Sequence, residues 1–163
     1  MLRAHGVEGV ADVRLIPRSR RVPQFNFDAL TTDLPKHGLR YFPFKDLGGR
    51  RRADKDSINA GWRNVSFRGY ADFMQTPAFK EALQRLTEVA CEWPVALMCA
   101  EAVPWRCHRS LIGDALLVRG WIVLDIMSET KRNPHKMTPF ARVEGKRITY
   151  PPEQDELFVP PPA

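Results

Sequence analysis

Pro94-Val95-Ala96-Leu97-Met98-Cys99-Ala100-Glu101, and then Cys107-His108-Arg109-Ser110, is the stretch on which the fold turns. The first part is a short apolar run bounded by breakers, which predicts a central strand buried on both faces. Arg106 to Arg119 follows as a helix stopped by Gly120. A strand that leads directly into a helix is the repeating unit of a parallel sheet.

The same alternation continues on both sides. Thr76 caps a helix with Pro77 at its first position, and Phe79, Leu83, Leu86 and Ala90 form its apolar stripe. Val7 to Leu15 reads as a buried strand running into the basic turn Pro17-Arg18-Ser19-Arg20-Arg21. Asn26 is placed to cap a helix reaching about His37, with Pro35 near its end and Gly38 at C′. Leu39 to Phe44 is a second strand, Trp121 to Ile126 another, and Arg147 to Tyr150 a last edge strand. Between them, Leu47 to Arg68 reads as a long basic loop and Tyr70 to Met74 as a short helix. The expected fold class is therefore α/β, three-layered, with a mostly parallel sheet and helices on both faces. Residues 1–150 form the single domain, and the Pro-rich segment 151–163 is an extended tail.

Composition sets the limits on function. The chain has 163 residues, 44% hydrophobic and 27% charged, which suits a globular core. No apolar run spans a bilayer and Met1 to Gly6 carries no signal-like stretch, so the expectation is a cytoplasmic protein without a membrane partner. Three cysteines (Cys91, Cys99 and Cys107) argue for reduced thiols rather than a disulfide framework. The net charge of +6 is uneven. Residues 1–70 hold 14 Lys and Arg against 7 Asp and Glu, which points to a phosphate-bearing ligand or nucleic acid.

The chemistry concentrates after Cys99. In open parallel sheets ligands bind outside the carboxyl ends of the strands. A helix beginning at Cys107-His108-Arg109-Ser110 offers unpaired N–H groups and a positive dipole end, an anion site to which Arg109 and Ser110 add donors. Arg14, Arg18, Ser19 and Arg20 follow the first strand and share that edge. Arg50 and Arg51 follow the second, with Arg63 beyond them as an auxiliary basic residue. Trp62-Arg63 and Phe67-Arg68 interleave rings with charge as a stacking surface does, or else the rings pin the loop to the core.

A thiol at the helix N-terminus should ionise readily, which makes Cys107 the candidate nucleophile, His108 the general base or acid and Glu101 a partner in proton transfer. Cys99, inside the apolar run, reads as a small buried hydrophobe and Cys91 as structural. Phosphatase spacing, with an arginine six places after the cysteine, is absent: those places hold Trp105 and Gly113. Zinc held by Cys99, Cys107 and His108 runs against the spacing, because there is no paired CxxC, and no metal is assigned. No motif names a cofactor.

Ala11-Asp12-Val13-Arg14, Pro17-Arg18-Ser19-Arg20, Leu47-Gly48-Gly49-Arg50, and Met98-Cys99-Ala100-Glu101 leading to Cys107-His108-Arg109-Ser110 resemble the bacterial family called domain of unknown function 488, over about Val7 to Ala141. The resemblance implies an α/β fold and marks those segments as the signature. It assigns no reaction. Family members usually begin with a further strand carrying an Ile-Gly-His-Ser-like turn, then a helix. Met1 to Gly6 is similar to the end of that helix, which leaves one sheet position and some site donors unaccounted for and one sheet edge open. Three functions follow as expectations: an anion or phosphate site at the CHRS helix, extending to nucleotide or nucleic acid; a Cys-dependent enzyme; and an interaction or regulatory domain that binds protein through its tail.

Overall fold

The computed structural model describes residues 1–152. Its centre is β1 (Gly9–Asp12), buried at every position. Parallel to it lie β2 (Arg40–Pro43) on one side and β3 (Val95–Met98) on the other, in the order β2-β1-β3. The register pairs Ala11 with Phe42 and Leu97, and Val10 with Tyr41 and Ala96. Alternation then separates the faces. Ala11, Phe42, Val95 and Leu97 pack against the main core, built from α2 (Val65–Phe73), α3 (Pro77–Glu92) and α4 (Arg109–Leu117). On the opposite face, Tyr41 meets Phe27 of α1 (Phe27–Lys36), and Asp12 reaches the chain around Phe25 through Arg14. The fold is α/β, with a parallel three-stranded sheet and helices on both faces.

Three elements depart from expectation. Val95–Met98 is an edge strand, half-buried throughout, not the buried centre. Its outer side borders an apolar groove of about 580 Å³, lined also by Leu2, Val7, Leu116 and Trp121 to Ile126. The strand expected over Trp121–Ile126 shrinks to β4 (Leu124–Ile126) and pairs antiparallel with β5 (Arg132–Pro134). Ser128 Oγ accepts from Thr130 and Lys131 N–H, closing a tight turn that folds the chain into a hairpin instead of a fourth parallel strand. The long loop is also shorter than expected. Asn64 caps α2 by accepting from Ser66 N–H at 2.9 Å, so the helix starts at Val65, well before Tyr70.

The rest of that loop is anchored. Asn59 is fully buried, donates to Asp72 at 2.8 Å and accepts from Tyr150 N–H at 2.9 Å. The chain ends its described course in the hairpin β6 (Arg142–Glu144) and β7 (Arg147–Thr149). The tail expected over 151–163 lies, from Glu153 onward, outside the described residues. Among the described residues no helix is long and apolar enough to cross a membrane.

Candidate functional site

The three parallel strands end on one edge of the sheet, and the segments that leave them converge there. After β3 the chain passes through Cys99 to Glu101, makes a single 3₁₀ turn at Pro104–Arg106 and enters α4. This detour brings three side chains together. Cys99 Sγ, Cys107 Sγ and His108 Nδ1 all lie within 4.8 Å of one another. His108 Nδ1 is 3.9 Å from Cys99 Sγ and 3.7 Å from Cys107 Sγ.

The imidazole is held on every side. Its Nε2–H donates to the Val13 carbonyl at 3.2 Å, just past the end of β1, which leaves Nδ1 facing the sulfurs. Tyr70 packs against the ring with centroids 4.9 Å apart. From the β2 side, Gly49 closes in: a Cβ there would lie 3.0 Å from His108 Nδ1. Gly48 is pressed equally hard on the exit of β1, where a Cβ would stand 2.8 Å from Leu15 Cα. The Leu47-Gly48-Gly49 glycines thus let the second loop close over the first and over His108.

The two sulfurs behave as a pair. Cys107 is 2% exposed. Its hydrogen bond with Cys99 and its burial push its thiol up, against the pull of Arg109, whose Nε donates to Cys107 Sγ at 3.4 Å. Cys99 is drawn well below the usual thiol range by Cys107, then by His108 and the Glu101 N–H. The two thiols titrate as a pair, the proton of one stabilising the thiolate of the other, so the ready ionisation expected at Cys107 belongs to the pair of Cys99 and Cys107. Cys99 is also no inert core residue: it is half-buried and faces the imidazole. Cys91 is exposed on α3, off the apolar stripe, and takes no part in the core.

The anion donors have a different fate. Arg109 donates to the Glu101 and Leu97 carbonyls, and Ser110 Oγ donates to the Cys107 carbonyl at 3.0 Å. The helix amides of Ser110 and Leu111 are taken by the Cys107 and His108 carbonyls. Arg14 is folded onto Asp12, with Nη2 2.6 Å from Oδ2. Ser19 Oγ closes the turn by accepting from Arg21 and Val22 N–H. The helix terminus and its nearest arginine are thus spent inside the protein.

What remains open is the rim. Arg18 and Arg20 after β1, and Arg50 and Arg52 after β2, are exposed, and among the described residues their side chains form no ion pair or hydrogen bond. Arg51 instead bonds the Asp46 and Gly48 carbonyls and lies over the Phe73 ring. Arg63 is exposed beside Trp62, which packs on Phe67, Phe140 and Tyr150 and so anchors the loop rather than offering a stacking face. The Glu101 side chain is exposed and stands apart from the thiol–imidazole group.

Sequence reasoning missed a second buried cluster. Asp114 of α4 is fully buried. It accepts from Tyr150 Oη at 2.8 Å and Thr138 N–H at 3.1 Å and lies 3.3 Å from His135 Nε2. The only trace in the sequence is Gly113-Asp114 inside an apolar helix; a Cβ on Gly113 would stand 2.6 Å from His135 Nε2.

No curated protein and no solved structure matches the chain. The family model described as "Domain of unknown function DUF488" matches residues 1–116, a span that takes in β1, β2, β3 and the Cys99–Cys107–His108 group. With most of its length so matched, the chain belongs to the DUF488 family.

Proposed function

We propose that this protein binds a phosphate-bearing polymer, nucleic acid, across the carboxyl edge of its parallel sheet. The observation that carries this reading is the placement of open charge. Arg18 and Arg20 follow the carboxyl end of β1, and Arg50 and Arg52 that of its parallel neighbour β2, all exposed and unpaired among the described residues. Elsewhere Arg40 pairs with Glu8, Arg85 with Asp46 and Arg147 with Glu144, while Arg3, Arg21, Arg63, Arg106, Arg132 and Arg142 are exposed and, among the described residues, also without a side-chain ion pair or hydrogen bond. Unpaired arginines on the ligand-binding edge of an α/β sheet attract phosphates electrostatically and orient them by bidentate bonds. The contact therefore belongs to the rim, not to the α4 terminus, whose donors are used internally.

The test is fluorescence anisotropy with single-stranded and duplex oligonucleotides across a salt series. Binding should weaken steeply with salt, and an Arg18→Ala/Arg20→Ala chain should lose affinity and lower the log–log salt slope by about 1 per arginine removed. Arg147→Ala, on the β6–β7 hairpin and paired with Glu144, should leave both unchanged. Absence of binding at low salt would overturn the reading.

A further inference from the structure

We infer that Cys99, Cys107 and His108 form a three-ligand site for a thiophilic divalent cation, zinc foremost, with a fourth coordination position open. The inference concerns the floor of the carboxyl edge and does not depend on what the arginine rim binds.

The geometry is that of a preformed site. Around tetrahedral zinc, with Zn–S of about 2.3 Å and Zn–N of about 2.0 Å, sulfur and nitrogen ligands stand about 3.5 Å apart. His108 Nδ1 stands 3.7 Å from Cys107 Sγ and 3.9 Å from Cys99 Sγ, so these two edges need only a small contraction, and the two sulfurs lie within 4.8 Å of each other. The surrounding bonds fit the same role. A metal-bound histidine usually donates its other ring N–H to a carbonyl or carboxylate, which fixes the tautomer and aims the lone pair. Here Nε2–H donates to the Val13 carbonyl, and Nδ1 is the nitrogen that faces the two sulfurs. Bound thiolates are commonly steadied by N–H donors, and Arg109 Nε supplies one to Cys107 at 3.4 Å.

The sequence spacing concealed this. Zinc sites announce themselves when paired cysteines sit two residues apart on one turn. In this chain one ligand leaves a strand end, two enter a helix, and the 3₁₀ turn at Pro104–Arg106 folds them onto each other. Three protein ligands with two thiolates favour zinc over harder ions, and an incomplete shell leaves room for water or a phosphate oxygen.

The experiment uses the full chain. Titrated with Co²⁺ under reducing conditions, it should bind one ion per chain with a near-ultraviolet thiolate-to-cobalt charge-transfer band and the visible bands of tetrahedral cobalt, both abolished by added Zn²⁺. Cys99→Ser and His108→Ala should each lose the charge-transfer intensity or the stoichiometric site while far-ultraviolet circular dichroism is retained. Should either variant fail to fold, the unmodified chain still decides the matter. Zn²⁺ should block alkylation of Cys99 and Cys107, read by peptide mass spectrometry, while exposed Cys91 labels at the same rate with and without metal. No charge-transfer band on a folded chain, or equal labelling of Cys99 and Cys107 with and without Zn²⁺, overturns the inference and leaves two free thiols.

Discussion

Asp12 gathers four hydrogen bonds on two oxygens: from Arg14 N, Nε and Nη2, and from Tyr41 Oη. It is 1% exposed, and the Arg14 side chain is 10% exposed. The bond to Asp12 raises Arg14 above the usual guanidinium range, despite partial burial that works the other way. Burial, followed by the bond to Asp12, likewise pushes the Tyr41 phenol up. Asp12→Asn keeps the shape but removes the counter-charge, leaving a largely buried guanidinium unpaired. Breaking such a pair from one side should cost about 3 kcal/mol, read as a fall in the urea midpoint at unchanged slope. A change near zero would mean that Arg14 finds a solvent path the fold does not offer. The Ala11-Asp12-Val13-Arg14 segment was legible as a strand end from its apolar residues. That Arg14 turns back onto Asp12 was not, because sequence order places donors on a shared edge without saying which partner desolvates them first. The same limit explains Arg109 and Ser110, whose place at the head of α4 could be read while their internal carbonyl partners could not.

The caps show where element-level reading works and where it fails. Thr76 Oγ1 accepts from Phe79 N–H at 3.3 Å, with Pro77 at the first helical position, as the pattern Thr-Pro-x-Phe implies. Asn26 occupies the cap position of α1, but its Oδ1 accepts from Ser19 N–H and makes no bond to the helix. Thr76→Ala should therefore cost about 1 kcal/mol in chemical denaturation through α3 itself. Asn26→Ala should act on the Pro17–Arg21 turn, so amide exchange should quicken at Ser19 while the α1 amide of Leu30, which donates to the Asn26 carbonyl at 2.9 Å, keeps its protection. Equal loss of protection in α1 and the turn would refute that division. Helices such as α3 were legible because their stripe and caps are local. The demotion of β3 to an edge was not, since strand order depends on which backbone edges find partners across the whole chain. The Leu124–Ile126 hairpin turned on Ser128, a single hydroxyl whose turn bonds carry no periodic signal.

The molecule as a whole is closed by the buried carboxylate on α4. Asp114 ties Tyr150 and Thr138 to the core, and His135 bridges it to Asp125 of β4 with its second ring nitrogen at 3.1 Å. The β4–β5 hairpin and the approach to β6–β7 are thus fastened to the same helix whose first turn carries the thiol–imidazole group. The hydrogen bond to Asp114, then that to Asp125, holds the His135 imidazolium above the usual imidazole range, although burial opposes it. A group whose pKa is higher in the folded state than in the unfolded chain favours folding most when both states are protonated. Its contribution is therefore complete below about pH 6.5, the ordinary imidazole value, and declines as pH rises through the raised folded value. The measurement is urea denaturation of the natural chain and of His135→Gln from about pH 5 to pH 9. The difference in stability between them should be largest at the acidic end and shrink towards the alkaline end. A difference that is flat, or that grows with pH, would show that His135 is held neutral and that Asp114 is balanced by Tyr150 and Thr138 alone.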